Sequence, residues 1–146
     1  MMLLHIVAVG KLRSREIAAL CADFEKRLGA YAKLKITEVA DSDPAGEGKL
    51  ILRELDRDRG AEVVVLAEEG RTFTTAEFAG RLKRCDTKVV FVVGGPFGLA
   101  PEVKARAKLL WSLSPMTFTH ELARLLLLEQ LYRTLNFNAG GSYHHI

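Results

Sequence analysis

The spacing of apolar residues switches between a strand-like and a helix-like period along this chain, and the switches come in regular order. Residues 3–9 form an apolar run short enough for a buried strand, and from Ser14 onward Ile17, Leu20, Cys21, Phe24 and Leu28 recur on one helical face. Ser14 suits the N-cap and Gly29 the C-terminal stop. Residues 34–39 alternate apolar with polar as a half-exposed strand does, and residues 41–48 read as a loop from their Asp, Pro and Gly content. A short helix is predicted over 50–58 with Ile51, Leu52 and Leu55 inward and Gly60 ending it, followed by a third strand over 63–67. Thr74 and Glu77 form a capping-box pair ahead of Phe78, Ala79 and Leu82, and 89–93 is the most hydrophobic strand. Pro101 suits the first turn of another helix, with Val103, Ala107 and Leu110 toward the sheet.

The last helix, over 120–135, carries Leu122, Leu125, Leu126, Leu127, Leu128, Leu131 and Leu135 on more than one face. A helix apolar nearly all round needs two partners, which predicts the sheet on one side and a second subunit on the other. Strands and helices in alternation predict an α/β fold with a parallel sheet covered on both faces.

Composition changes this picture little. A chain of 146 residues, 49% hydrophobic and 27% charged, reads as one folded domain, 1–146, with no linker, repeat or low-complexity segment. The formal net charge of +3 is compatible with a polyanionic partner but too small to argue for one. Cys21 and Cys85 fit neither a disulfide framework nor a zinc spacing, which points to a reduced, cytoplasmic setting and no metal. The apolar N-terminus lacks a basic lead and a cleavage site, so it reads as a strand, and no run approaches the ~18 apolar residues of a membrane span.

Two loops carry the candidate chemistry. The strand ending in Gly94-Gly95-Pro96-Phe97-Gly98 lacks the glycine spacing and distal acid of a dinucleotide fingerprint, and no Gly-Lys pair here makes a P-loop. Such a turn suits a plain strand-to-helix connection, but it also lets backbone approach a flat ligand. Ser112, Ser114 and Thr117 around Pro115 and Met116 make a second loop of the mixed polarity that lines small-molecule pockets. Together the loops suggest a nucleoside cofactor bound late in the sequence. Glu129 and Arg133, one turn apart, suit either an ion pair or a functional role.

Five segments in order, Val7-Ala-Val-Gly-Lys-Leu12, Phe91-Val-Val-Gly-Gly-Pro-Phe-Gly-Leu99, Leu113-Ser-Pro-Met-Thr-Phe-Thr-His120, Leu128-Glu-Gln-Leu-Tyr-Arg133 and Tyr143-His144, resemble the RlmH type of the SPOUT methyltransferases over nearly the full length. The resemblance implies an α/β knot with a trefoil-knotted C-terminal part and a homodimer. It also implies methyl transfer from S-adenosyl-L-methionine to N3 of a pseudouridine in 23S ribosomal RNA, within the large subunit or the whole ribosome. By position it implies cofactor contacts at Leu66, Gly94, Leu113, Ser114, Pro115, Met116, Thr117 and Phe118, and catalytic or rRNA-facing roles for His120, Glu129, Arg133, Tyr143 and His144. The chain departs from the family pattern at Thr119, where Pro is expected, and at His145, where Lys or Arg is usual. The second departure weakens a phosphate contact rather than the chemistry.

The reaction itself sets requirements. An imide nitrogen must lose its proton, and each pKa unit above ambient pH adds about 1.4 kcal/mol to the barrier unless the enzyme compensates. His144 is the first candidate for proton handling, with Arg133 or Tyr143 steadying the imide charge. Lys11, Arg13 and Arg15, in a loop at the carboxyl end of the first strand, are the RNA-binding candidates together with His145. Methylation of another RNA such as tRNA, or ribosome binding without turnover, are the competing readings.

Overall fold

The computed structural model describes residues 1–85 and 88–145. Its elements are β1 (Met2–Val9), α1 (Arg15–Leu28), β2 (Ala32–Val39), α2 (Pro44–Arg57), β3 (Glu62–Arg71), α3 (Thr75–Arg84), β4 (Lys88–Val93), α4 (Pro101–Ala105), β5 (Leu109–Trp111) and α5 (His120–Asn138). The five strands form one sheet in the order β2-β1-β4-β3-β5, with each paired neighbour parallel. This is the parallel α/β architecture that the alternating periods predict.

Side chains alternate across the central strands and separate two apolar layers. Leu4, Ile6, Ala8, Val89, Phe91 and Val93 face α1, α3 and α5 and meet Cys21, Leu28, Phe78, Leu82, Leu127 and Leu131. Val7, Val9, Val65, Val90 and Val92 face the other way, onto Ile51 and Leu55 of α2 and Val103 of α4. His5 belongs to this second face and is structural: buried, it contacts the Asp58 carboxylate and meets Thr37 Oγ1 at 2.7 Å.

The structure corrects three sequence expectations. Residues 41–48 are not all loop, because α2 begins at Pro44, with the Asp43 side chain accepting the Gly46 N–H at 2.8 Å. Proline lacks the N–H that a first helical turn leaves unused, so it starts this helix instead of breaking it. Gly48 lies inside α2, where a Cβ would stand 3.0 Å from Ala100 Cβ, so its lack of side chain lets α2 and α4 approach. Leu110 is in a fifth strand, not on a helix, since α4 stops at Ala105; three residues are too short a run for a periodicity to declare itself. Leu20, assigned to the apolar stripe of α1, is 49% exposed.

Helix α5 packs on both α1 and α3 as well as the sheet, so neighbours in the same chain cover much of its apolar circumference. Leu127, Leu128 and Leu131 are fully buried, while Leu122 near its start is 40% exposed. Thr119, the departure from proline, is the N-cap of α5 and accepts the Leu122 N–H at 3.3 Å.

Candidate functional site

Parallel strands deliver their carboxyl ends to one edge of the sheet, and the loops that leave β4 and β5 meet there beside the outer part of β3. They surround a cavity of about 870 Å³ lined by Leu66, Gly94, Trp111, Leu113, Met116 and Phe118 among others. That volume lies within the range of small-molecule sites, and the walls combine apolar side chains with loop backbone. Of the eight expected cofactor residues, Leu66, Gly94, Leu113, Ser114, Met116, Thr117 and Phe118 line the cavity, and Pro115 does not.

Local sequence explains how each wall is held. Gly94 is required by close packing: a Cβ there would lie 2.7 Å from Leu99 Cγ. At Gly95 a Cβ would meet Val9 Cγ1 at 3.0 Å, with the buried Glu47 carboxylate just beyond. Gly98 takes φ +84 and closes the turn through its N–H to the Gly95 carbonyl. In the late loop the Ser114 hydroxyl accepts the Met116 N–H at 3.0 Å, which leaves Met116 74% exposed at the mouth. Ser112, at the head of that loop, is buried with its hydroxyl unpartnered.

Sequence reading missed part of the lining. Both Leu66 and Arg71 pair with Trp111, so residues 67–70 leave the β3 ladder as a bulge, and Ala67, Glu68 and Glu69 join the wall. Lys104 reaches across to Glu69 at 2.9 Å. Gly70, whose Cβ would stand 2.6 Å from the Leu110 backbone, is the sequence signal that could have marked the bulge.

The catalytic candidates divide into two places. His120 lines the cavity, next to Glu121 and Ile17. Glu121 accepts backbone N–H groups from Arg13 at 2.9 Å and Ser14 at 3.0 Å, which holds its carboxyl below the usual range and ties the β1–α1 loop to the start of α5. Lys11 and Arg13 on that loop, and Arg15 at the first position of α1, are exposed and outside the cavity lining; Arg13 stands 3.7 Å from Asp41.

The remaining four gather at the other end of α5. Glu129 receives Arg133 at 2.7 Å and the Tyr143 hydroxyl at 2.8 Å, Arg133 stacks over the Tyr143 ring at 4.7 Å, and His144 Nδ1 lies 3.2 Å from Arg133 Nη1. The tail is fixed there by the Gly141 N–H on the Asn136 carbonyl and the Tyr143 N–H on Asn136 Oδ1. Burial, then the Glu129 carboxylate, push the Tyr143 phenol up, so it stays a donor at neutral pH. Arginine can only donate, so the His144 nitrogen facing it accepts and the ring carries its proton on Nε2. His145 is exposed beyond this cluster. None of the four lines the 870 Å³ cavity of its own chain. Thirteen residues of helix at 1.5 Å each put Arg133 about 20 Å from His120.

No group of three His, Cys, Asp or Glu suited to a metal is found among the described residues, and no described helix is long and apolar enough to cross a membrane.

Comparison with known proteins bears on the fold and the family. The chain is 42% identical to ribosomal RNA large subunit methyltransferase H of Gloeobacter violaceus, over 99% of both chains. It is 44% identical to the protein of the same name from Prochlorococcus marinus (strain MIT 9211), over 96% of this chain and 94% of that one. A probable methylase family protein from Haemophilus influenzae shares the fold with a TM-score of 0.58 at 12% identity, over 98% of this chain and 70% of that one. The SpoU methyltransferase AviRb from Streptomyces viridochromogenes does so with 0.53 at 11%, over 96% and 59%. A family model described as a predicted SPOUT methyltransferase matches residues 2–144, which takes in the glycine turn, the late loop and the tail alike, and the chain belongs to that family.

Proposed function

We propose that this chain, a single SPOUT domain over 1–146, methylates N3 of a pseudouridine in 23S ribosomal RNA, in the large subunit or the whole ribosome, using S-adenosyl-L-methionine in the cytoplasm. The observation that carries this reading is the convergence of Leu66, Gly94 and the 113–118 loop on one cavity, in a chain whose relatives named ribosomal RNA large subunit methyltransferase H match it over nearly its whole length.

The residues present fit the cofactor. A flat adenine suits the apolar walls of Leu66, Leu99, Trp111 and Leu113, while the close-packed glycine turn brings main chain to the ligand. When bound, the cofactor supplies an electrophilic methyl group on a sulfonium. The chain's residues then align the nucleobase, a contribution of up to about 7–11 kcal/mol when reacting atoms are held at near-attack distance.

The Arg133, His144 and Tyr143 cluster meets the requirement that imide deprotonation sets. Arg133 is cationic, and His144 offers Nε2–H as a second donor, so the two stabilise negative charge developing on the imide. This makes His144 a donor to the base rather than the acceptor of its proton. Because the cluster lies about 20 Å along α5 from the same chain's cavity, we propose a homodimer in which one subunit's tail completes its partner's cofactor pocket. The exposed Phe97, Met116 and Leu122 around the cavity mouth supply an apolar surface for that contact. The trefoil knot belongs to the same reading.

The test is methyl transfer from labelled cofactor to assembled ribosomes, large subunits, free 23S rRNA and tRNA. Labelled N3-methylpseudouridine in 23S rRNA is expected. Labelling of tRNA alone, or of nothing, overturns the proposal.

A further inference from the structure

A second recess, of about 320 Å³, opens between the end of β3 and α3 and is lined by Arg71, Phe73, Glu77, Gly80, Arg81 and Arg84 among others. It neighbours the cofactor cavity through one backbone pair: Arg71 is registered on Trp111, and Trp111 lines the larger cavity. Three guanidinium groups converge on it. Arg71 stacks over the Phe73 ring at 4.5 Å, and Arg84 folds back over Gly80, where a Cβ would stand 3.6 Å from its Nη1. Arg81 lines the same recess, with a buried Nε that has no hydrogen-bond partner among the described residues.

Among the described residues, the nearby carboxylates are committed elsewhere. Glu77 closes the capping box by accepting the Thr74 N–H at 3.0 Å. Glu62 takes Lys108 at 3.1 Å and the Cys85 thiol, and it feels Arg81 only as a charge at a distance. Among the described residues no carboxylate stands within ion-pair distance of Arg71, Arg81 or Arg84. Guanidinium groups held together without a counter-ion repel one another, and a tetrahedral oxyanion accepting their forked N–H groups relieves that cost.

We propose that this recess holds a backbone phosphate of the RNA strand whose target base enters the neighbouring cofactor cavity. The proposal rests on the RNA-methyltransferase reading, and it adds a contact surface separate from the loop of Lys11, Arg13 and Arg15. A ligand that is part of a strand suits the place, because the recess is open and adjoins the cavity wall.

The experiment titrates a fluorescent single-stranded RNA oligonucleotide against the full chain at increasing salt, with no methyl donor present. Wild type is compared with Arg84→Gln, which alters an exposed side chain, and with the double variant Arg81→Gln/Arg84→Gln. Losing the one phosphate contact lowers the slope of log affinity against log salt by about 0.7, so a fall of about 0.7 is expected in the double variant and a part of it in Arg84→Gln. Binding of S-adenosylhomocysteine, read by calorimetry, should stay unchanged in both. Unchanged slopes overturn the proposal, as does a changed mass in solution, which would put a second copy of the chain on this face. Displacement of the RNA by inorganic phosphate at low millimolar concentration would mark a free-anion site and overturn it equally. Wild-type methyl transfer to 23S rRNA, run in parallel, separates the two readings. An active wild type with unchanged slopes loses the recess alone, and an inactive one with lowered slopes keeps the recess and loses the reaction.

Discussion

Replacing Glu129 by alanine removes the acceptor on which the C-terminal cluster is assembled. Its carboxylate takes Arg133 at 2.7 Å, Tyr143 at 2.8 Å and Gln130 at 2.7 Å, and the Glu129 and Arg133 side chains are 18% and 26% exposed. Charge-assisted hydrogen bonds contribute about 1.5–3 kcal/mol when well shielded, and exposed ion pairs less than about 1 kcal/mol. Partial exposure puts each of the Arg133 and Tyr143 contacts near ~1–1.5 kcal/mol, so losing both weakens tail docking by about 2–3 kcal/mol. The Asn136 contacts to Gly141 and Tyr143 survive, so the tail loosens without detaching. At about 1.4 kcal/mol per tenfold, roughly 30- to 150-fold is the ceiling on the fall in turnover, and the surviving Asn136 contacts keep the loss below it. Glu129 does not line the cofactor cavity, so S-adenosylhomocysteine should bind with unchanged affinity. Steady-state kinetics on rRNA and calorimetry on the same preparation measure both quantities. Full turnover in the variant, or a loss of cofactor affinity parallel to the loss of rate, would refute the division of labour between the two ends of α5.

Other outcomes follow from single positions. Gly94→Ala must displace Leu99, from which its Cβ would stand 2.7 Å; overpacking of this kind costs about 1–3 kcal/mol in urea unfolding, and calorimetry should show cofactor binding lost with it. Thr119→Ala deletes the cap of α5 and should lower stability by about 1 kcal/mol, measured by the same unfolding experiment. Burial pushes the Asp58 carboxyl up, but its Lys88 and His5 partners outweigh that and hold it below the usual range. A carboxylate with a lowered folded pKa stabilises above its unfolded value, near 3.8, and that stability is lost as pH falls through the folded value. Asp58→Asn should therefore be less stable than wild type at neutral pH and show a flatter acid decline below about pH 4.

What the sequence made legible follows the length of each signal. The buried strands and α1, α3 and α5 declare themselves because apolar residues recur often enough to fix a period, and the Ser14 cap and the Thr74–Glu77 box behave as local chemistry requires. The start of α2 was hidden because proline and glycine carry opposite meanings at a helix N-terminus and in a loop, and the contact of Gly48 with Ala100 is not local. β5 spans three residues, and the 67–70 bulge depends on how β3 lies against Trp111, so neither leaves a pattern. The cofactor loops were legible as loops. Their meeting at one cavity depends on strand order, which places β4 between β1 and β3 and is written nowhere in the local sequence.

The same geometry explains why one helix carries both halves of the proposed site without joining them. α5 begins at His120 on the cofactor cavity and ends where Asn136 fastens the tail, and a straight helix cannot bring its two ends together. Bending it would break the packing of Leu127, Leu128 and Leu131, all fully buried against the sheet and the flanking helices. Loosening the tail to reach back would surrender the Tyr143 contact to Glu129 and the Arg133 contact to His144. The proposed second copy, related by a two-fold axis, would avoid both costs, because antiparallel α5 helices would set each tail beside the other chain's His120. Mixed dimers of an Arg133→Ala chain with a Gly94→Ala chain test this. Pairing the two defects leaves one pocket with both an intact glycine turn and an intact partner tail only if tails work across the interface. Two single-defect chains place both lesions in one shared site and leave the other whole, so about half of wild-type turnover per dimer is expected, whereas tails working within their own chain would leave no whole site and no turnover.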